Sequence, residues 1–571
     1  MRDLDYIFDG AMSTYFQSIT GNKTSCELAN IRESQKIIDI HKEYIEVGCN
    51  AIKTNTFGLN QDLVKDKEYL SLLIKKAISN AKEASNESDI SIFGDIGPIN
   101  VENDEYLELV KIFIDGGITH FLFETQVEYS TLKEAIKYIR DNVKNSVVIV
   151  SFAANQDGFT RLGYHYEQLI EQASKDADYV GLNCICGPTH AFKLLEKLDS
   201  SKYNLIAMPN AGYFDGVDDN FIYNAEYFAS KMIEIIGLGI KVAGACCGST
   251  PWHLKKIIEG YNKESLTINK NKPIEVELSE SKSIVKEIFD KQKKLVAVEF
   301  STPLKPNCEN LVDLAYRVKE KEVDLITLVD SPLAQAKADS FMMAAYLQNK
   351  VKVKVMPHLT CRDKNQIAIK GSLIGGNAFG IDNVLALSGD AIAKTDRDFS
   401  KGVFSFNSNN LINYVSELNK DTFNKLPYYI GGALNVNATN FDVELKRAQL
   451  KIENNVDYFI SQSIFTKQAI ENLKKANEVL DVPIVAGLYP VISLRNALFL
   501  KNEVKGIDIP NELIKQFEEV TSNRYKEISV NYIFNVIDSV YNYCDGFYIS
   551  TPLNKIDYVC EIIDYIKGKE N

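Results

Sequence analysis

The sequence predicts an α/β protein built of two consecutive (β/α)8 barrels of the TIM type, joined by a charged linker. Three observations predict it. The chain has 571 residues, too many for one ordinary domain and suited to two of about 250 to 300 each. Short apolar, β-branched runs recur in two sets of eight, separated by amphipathic stretches of helical period; such runs suit strands buried on both faces of a parallel sheet. Polar and sulfur-bearing residues gather at the C-terminal ends of these runs, where β/α barrels carry their chemistry.

In chain order the first set reads IFDGAMS, AIKTNTF, ISIFGDIG, HFLFET, VVIVSFAAN, YVGLNC, LIAMPNAG and VAGACCG. Helical period around Ile37 to Val47 and Leu132 to Ile139 supplies connections of the expected kind. Tyr261 to Lys294 is rich in Lys, Glu, Asn and Ser and reads as the linker, its later part (Ser283 to Lys291) forming a helix that leads onward. The second set reads VAVEFST, LITLVDS, VMPHLTC, VLALSGD, YIGGALN, YFISQSI, IVAGLYP and GFYIST. The expected division is a first barrel over 1–262, a linker over 263–290 and a second barrel over 291–571. Strand ends carry Asn55, Glu124, Cys184, Cys246 and Cys247, then Glu299, His358, Asp390 and Gln462, whereas strand beginnings read as bland. There is no short-period repeat and no low-complexity tract.

Hydrophobic residues make up 45% and charged residues 25%, the balance of a soluble globular protein. A net charge of −13 argues against nucleic-acid and anionic-membrane partners. It leaves anionic small molecules open, because a local lysine can override a global sign. The chain begins with the charged Met1-Arg2-Asp3-Leu4-Asp5 rather than a secretory signal, and its most apolar stretch, Met232 to Gly248, is broken by Glu234 and Lys241. A cytoplasmic location is expected. There the ten cysteines stay reduced and are candidates for metal or catalytic work rather than disulfides.

Cys184 closes one strand (GLNC) and the Cys246-Cys247 pair closes another (GACCG). Three thiolates suit a catalytic zinc site, which keeps its fourth tetrahedral position for substrate. A substrate thiol entering that position loses its proton and stays nucleophilic. Gly244 and Gly248 allow turns that aim successive sulfurs at one ion. Spacing alone leaves ordinary buried cysteines as an equal alternative. Cys186 competes with Cys184, and strand alternation directs both to the same face.

In the second half, Glu299 is a carboxylate inside an apolar strand; burial raises such a group toward a general acid's range, though for such a residue taken alone a structural ion pair across the barrel interior is the favoured explanation. His358 and Asp390 stand at strand ends, where hydrogen-bonding partners are commoner than catalysts. The glycine-rich stretch from Gly371 to Gly380 lacks GxGxxG spacing and is not read as a dinucleotide site.

Read as sets, the motifs carry two resemblances. DGAMST (Asp9 to Thr14), KTNTFGLN (Lys53 to Asn60), FLFET (Phe121 to Thr125), GLNC and GACCG make nearly all of residues 1–260 resemble the homocysteine S-methyltransferase family. That resemblance implies zinc on Cys184, Cys246 and Cys247, with homocysteine bound as its thiolate. It also implies that backbone at Asp9, Gly10 and Ala11 and the carboxylate of Glu124 hold the amino-acid end. Ser13 stands where that family usually has glycine. VAVEFSTP, MPHLTC, LALSGD, LKRAQLKIENNVDYFISQSIF and GFYIST make the chain from about Lys294 onward resemble methylenetetrahydrofolate reductase. The resemblance implies FAD lined by His358 and reached by Lys451, and Gln462 on the substrate 11 residues further along. It further implies Asp390 between flavin and pterin, Glu299 as general acid, and NADH or NADPH as electron donor. Val436, Ser388 and Glu444 depart from that family's usual residues.

The expected function is bifunctional: methylation of homocysteine in the first barrel and reduction of methylenetetrahydrofolate in the second. The expected partners are these substrates and a methyl donor, with no nucleic acid and no membrane; a homo-oligomer is compatible. No segment is left over for a cobalamin domain, so S-methylmethionine and S-adenosylmethionine are the expected donors, methyltetrahydrofolate being harder to explain without cobalamin. Two competing readings are a second barrel that binds folate without redox chemistry, and a first barrel whose zinc is structural.

Overall fold

A computed structural model of the chain describes residues 4–570 apart from 23, 61–62, 87–88, 100–103, 185, 216–219, 223, 264–282, 391–400 and 505. The chain divides between residues 275 and 276 into two compact units. No helix among the described residues is long and apolar enough to cross a membrane.

The first unit is an eight-stranded parallel barrel. Its strands are β1 (Tyr6–Ile7), β2 (Ala51–Lys53), β3 (Ser91–Ile96), β4 (His120–Gln126), β5 (Val147–Phe152), β6 (Tyr179–Asn183), β7 (Leu205–Met208) and β8 (Val242–Ala243). Each overlaps one of the predicted runs, β1 and β4 extending one residue beyond theirs. Hydrogen bonding follows sequence order from β2 to β8 and then reaches β1. The seam between β1 and β2 is closed by the bridge Phe8–Ala51, with Asn50 N–H donating to the Ile7 carbonyl at 3.1 Å. Phe8, Phe93, Leu122, Ile149, Ile206 and Met208 form one buried cluster. A larger cluster joins the strands to the surrounding helices, among them Ser34–Glu46 and Lys133–Asn142, close to the predicted bounds.

The second unit is a closed parallel barrel of β9 (Leu295–Phe300), β10 (Leu325–Leu328), β11 (Val355–Thr360), β12 (Asn383–Leu387), β13 (Tyr429–Leu434), β14 (Tyr458–Ser463), β15 (Ile484–Leu488) and β16 (Gly546–Ser550). The helix expected at the end of the linker is Ile284–Asp290, and Ser283 caps it by accepting the Val285 N–H. This helix belongs to the barrel: Val285 and Ile288 are buried with Leu295, Met356, Tyr458 and Tyr548. Ser283 also donates to Asn383 Oδ1 at 2.5 Å. The rest of the expected linker lies outside the described residues, save 263 and 283.

The strand beginnings, expected to be bland, are polar in a regular way. Asn50, Asp178, Asp324, Asp457 and Asp545 each stand immediately before a strand. Their side chains accept the N–H of Ile7, Val148, Val296, Ile430 and Ile484, at 2.6, 2.7, 2.8, 2.6 and 2.8 Å respectively. In each case the acceptor clamps the start of the preceding strand, satisfying a backbone donor that the staggered barrel edge would otherwise leave bare. Burial raises the Asp457 carboxyl to about 7, against the favourable bond from Ile430 N–H.

Candidate active sites

At the C-terminal mouth of the first barrel, the sulfurs of Cys184, Cys246 and Cys247 all lie within 4.8 Å of one another, Cys184 and Cys247 at 3.8 Å. Three thiolates about 2.3 Å from one tetrahedral ion stand about 3.8 Å apart, so the cluster fits zinc both in donor chemistry and in spacing. Without a cation the three sulfurs crowd one another's charge. Hydrogen bonding to Cys184, then burial, pushes Cys247 up to about 12, and contacts with Cys184 and Cys247 push Cys246 well above a free thiol.

Backbone geometry decides which cysteines meet. β6 ends at Asn183, and Cys184 takes a left-handed φ of 53°, uncommon for a residue with a Cβ. Its N–H donates to the Met208 carbonyl at 2.9 Å, and its carbonyl accepts from Cys186 N–H at 2.6 Å. Alternation therefore stops one residue early. Cys184 faces the other thiols, whereas Cys186 enters the apolar core at 6% exposure. The two were expected to face alike, and the turn separates them. On the other side of the cluster, Gly248 has φ 78° and donates to Thr14 Oγ1 at 3.1 Å.

Beside the sulfurs is a buried charged group. Glu124 Oε1 accepts from Asn183 Nδ2 at 3.0 Å and lies 3.8 Å from Cys246 Sγ. Lys53 Nζ stands 3.1 Å from Asp9 Oδ1, and Lys53 N–H donates to Asp9 Oδ2 at 3.1 Å. Burial raises Asp9 to about 6, with Lys53 opposing. Burial works against the Lys53 charge, but Asp9, Glu124, Cys246 and Asp95 outweigh it and hold the ammonium protonated. Asp95 is pushed well up by burial and then by Glu124. Sequence reasoning missed Lys53 and Asp95. Their signal was the one that exposed Glu299, a charge inside an apolar run.

Residues 9–11 pack against the GACCG segment. A Cβ on Gly10 would meet Ser249 Oγ at 2.4 Å and the Tyr44 hydroxyl at 2.8 Å, so only glycine fits. Ala11 N–H donates to Ser249 Oγ at 2.9 Å, and Asp9 N–H to the Ala51 carbonyl at 3.1 Å. Asn55 is buried, its Nδ2 donating to the Cys26 carbonyl at 2.8 Å and to Asn30 Oδ1 at 3.2 Å.

The second barrel opens on a cavity of about 360 Å³ that brings together Glu299, His358, Asp390 and Gln462 with Asp330 and Tyr548. Tyr548 donates to Glu299 Oε2 at 2.5 Å, lies 3.0 Å from His358 Nε2, and accepts from Thr327 Oγ1 at 3.0 Å. Burial raises the Glu299 carboxyl, opposed by Tyr548, Ser550 and Lys337, and burial lowers His358 to about 3, so the imidazole is neutral. Asp390 is exposed at the rim, where its Oδ2 accepts Leu333 N–H at 2.8 Å. The buried Arg362 donates to the carbonyls of Ser331 at 2.9 Å and Asp390 at 3.4 Å, tying the same two loops together. Lys451 is set back from the cavity; its Nζ donates at 2.6 Å to the carbonyl of Ala433, which lines it. The departures noted in sequence have structural uses: Glu444 accepts Asn435 N–H at 3.0 Å, and Ser388 accepts Ser408 N–H at 3.2 Å. Tyr548 and Asp330 were missed, although both lie in runs read as strands.

A three-thiol cluster at one barrel mouth and a carboxyl-lined cavity at the other define a tandem β/α-barrel protein of the enzyme type. Comparison with known proteins finds a separate likeness for each barrel. The homocysteine S-methyltransferase profile matches residues 6–260, and the methylenetetrahydrofolate reductase profile matches residues 284–567. Each barrel is thus similar to one of these families over nearly its whole length. The methionine synthases of Mycobacterium leprae and Mycobacterium tuberculosis are 24% and 25% identical over 285 and 288 residues, 44% of this chain in each case. The match spans about a quarter of those relatives, 24% of the length of each. Among solved structures, the metallated homocysteine methyltransferase MmuM from Escherichia coli is similar at 17% identity and a TM-score of 0.38, over 45% of this chain and 97% of that one. Its oxidised form matches at 16% identity, TM-score 0.38 and the same 45% of this chain, covering 96% of its own.

Proposed function

We propose that this chain is a bifunctional one-carbon enzyme. The first barrel methylates homocysteine to methionine with zinc, and the second reduces 5,10-methylenetetrahydrofolate to 5-methyltetrahydrofolate with FAD and NADH or NADPH. The observation that carries the reading is the convergence of three thiols beside Glu124 at a barrel mouth. Zinc on Cys184, Cys246 and Cys247 supplies the Lewis acidity that keeps a substrate thiol deprotonated near neutral pH. Glu124, with one oxygen fixed by Asn183, opposes the substrate ammonium, and residues 9–11 form the adjoining wall. The buried Lys53 balances the carboxylates around it.

In the second barrel, His358 and Asp390 would hold FAD at a cavity of ordinary ligand size, and Lys451 would act from behind the wall by fixing the Ala433 carbonyl that lines it. FAD supplies the hydride chemistry when bound. Glu299 holds a proton and delivers it to the nitrogen that leaves when the one-carbon bridge opens. The carboxyl group of Asp390, at the rim, faces the cation that develops on the substrate, and Gln462 contacts the pterin.

The test is direct. Purified protein should hold one zinc per chain and convert homocysteine to methionine with S-methylmethionine, S-adenosylmethionine or methyltetrahydrofolate, each offered in turn. Cys246→Ala should lose both zinc and transfer; unchanged transfer in Cys247→Ala would reduce the thiols to a structural role. The protein should be yellow and bleached by NADH or NADPH. Glu299→Gln should block folate reduction while bleaching persists. A chain that takes up no FAD makes the second barrel a folate-binding module.

A further inference from the structure

The Tyr548 hydroxyl stands between Glu299 Oε2, at 2.5 Å, and His358 Nε2, at 3.0 Å, with Thr327 Oγ1 as a third neighbour at 3.0 Å. Tyr548 and His358 are buried at 6% and 5% exposure, and both line the cavity with Glu299. A phenol has one proton and two lone pairs. Thr327 occupies one lone pair. When Glu299 is ionised, the phenol proton points to it, and His358 must fill the second lone pair with an Nε2–H. When Glu299 is protonated and donates to the phenol oxygen, the phenol proton turns toward His358. The imidazole must then accept at Nε2 and carry its proton on Nδ1.

We propose that Tyr548 and His358 form a proton relay that reloads Glu299, with His358 changing tautomer each time the carboxyl gains or loses its proton. The proposal rests on the reading of Glu299 as general acid. Each folate reduction removes one proton from Glu299. A proton from solvent bonds to His358 Nδ1, the Nε2 proton passes to the Tyr548 oxygen, and the former phenol proton passes to Glu299 Oε2. One proton moves in net terms, and no electrons move. Tyr548 acts through Glu299 and is a positioning residue, and His358, besides its proposed place against FAD, acts on Glu299 only through Tyr548. The other groups facing Glu299 are Ser550 on β16, Lys337 beyond β10 and Tyr489 beyond β15. They set its titration, whereas Tyr548 joins it to the imidazole.

The experiment uses the full chain, ligand-free and labelled with 15N-histidine; there are six histidines, and His358→Gln assigns the resonance. The Glu299 carboxyl stretch, identified by difference against Glu299→Gln, gives its titration. His358 should pass from Nδ1–H to Nε2–H as pH rises, with the midpoint of Glu299. Tyr548→Phe should uncouple the two, and Thr327→Val should not. A wild-type His358 that keeps one tautomer throughout overturns the relay without any variant. In flavin-loaded protein, Tyr548→Phe should keep the first turnover within about twofold and slow the steady state on the order of tenfold, a modest part of what general acid catalysis provides. Equal slowing of both phases overturns the relay. If the tautomer switches but no folate is reduced, the reductase reading fails and the coupling stands. If folate is reduced and the tautomer is fixed, the relay alone fails.

Discussion

Lys53 lies in the first barrel with Asp9, Asp95, Glu124 and Cys246 around it. Removing one partner of a buried pair leaves uncompensated charge, which costs about 3–5 kcal/mol. Lys53→Met should therefore destabilise the first unit by about that much in urea unfolding, and Asp9→Asn in the same chain should restore part of it. Full additivity of the two changes would show that the pair does not interact. Asp9 also gives a pH dependence of definite sign. Its folded value of about 6 lies above the ordinary 3.8, so its contribution to stability is complete below about 4 and is lost as pH rises through about 6. Asp9→Asn should flatten that slope, worth about 3 kcal/mol at most. At this scale the sequence was legible where a residue type announced itself. The clustering of three strand-end cysteines and the burial of Glu299 were foreshadowed in this way, but the choice between Cys184 and Cys186 turned on a backbone φ of 53° that no side-chain pattern encodes.

The barrel strands were readable as elements because they are short, apolar and bounded by polar ends. All sixteen formed where the runs predicted. The acidic residues before them were passed over because one Asp at a loop end looks like any solvated charge; its meaning lies in the neighbouring strand whose N–H it accepts. Asp457 tests that role. Its raised value of about 7 means that its contribution is whole below about 4 and disappears as pH climbs through about 7. Asp457→Asn keeps an acceptor for Ile430 N–H and removes the ionisation. The second unit should then melt at a temperature nearly constant between about pH 5 and 8, where the wild type declines. A parallel decline in the variant would rule out Asp457 as the source.

At the scale of the molecule, each unit has its own buried clusters, those of residues 4–258 and those of residues 285–548. Calorimetry should therefore resolve two unfolding transitions, and zinc chelation should lower one and leave the other in place. A single transition displaced as a whole would show that the units unfold together. Both barrels follow from sequence periodicity, whereas the cavity of the second does not. It depends on Tyr548 of β16 meeting Thr327 of β10, far away in the chain, with Asp330 just beyond the end of β10 lining the same space.

The seam of the first barrel has a dynamic consequence. β1 has two residues and is joined to β2 through the bridge Phe8–Ala51, and residues 9–11, the proposed substrate wall, follow at once. Opening the seam and dismantling the wall are then one event, so occupancy of the mouth and closure of the barrel are linked equilibria. Amides of Asp9 and Asn50, whose acceptors lie across that seam, should exchange with deuterium faster than those of Leu295 and Ile484 in the second barrel. With zinc and homocysteine present they should slow together. The ligand would serve as the missing length of strand, holding shut a cylinder that its own sequence closes only lightly.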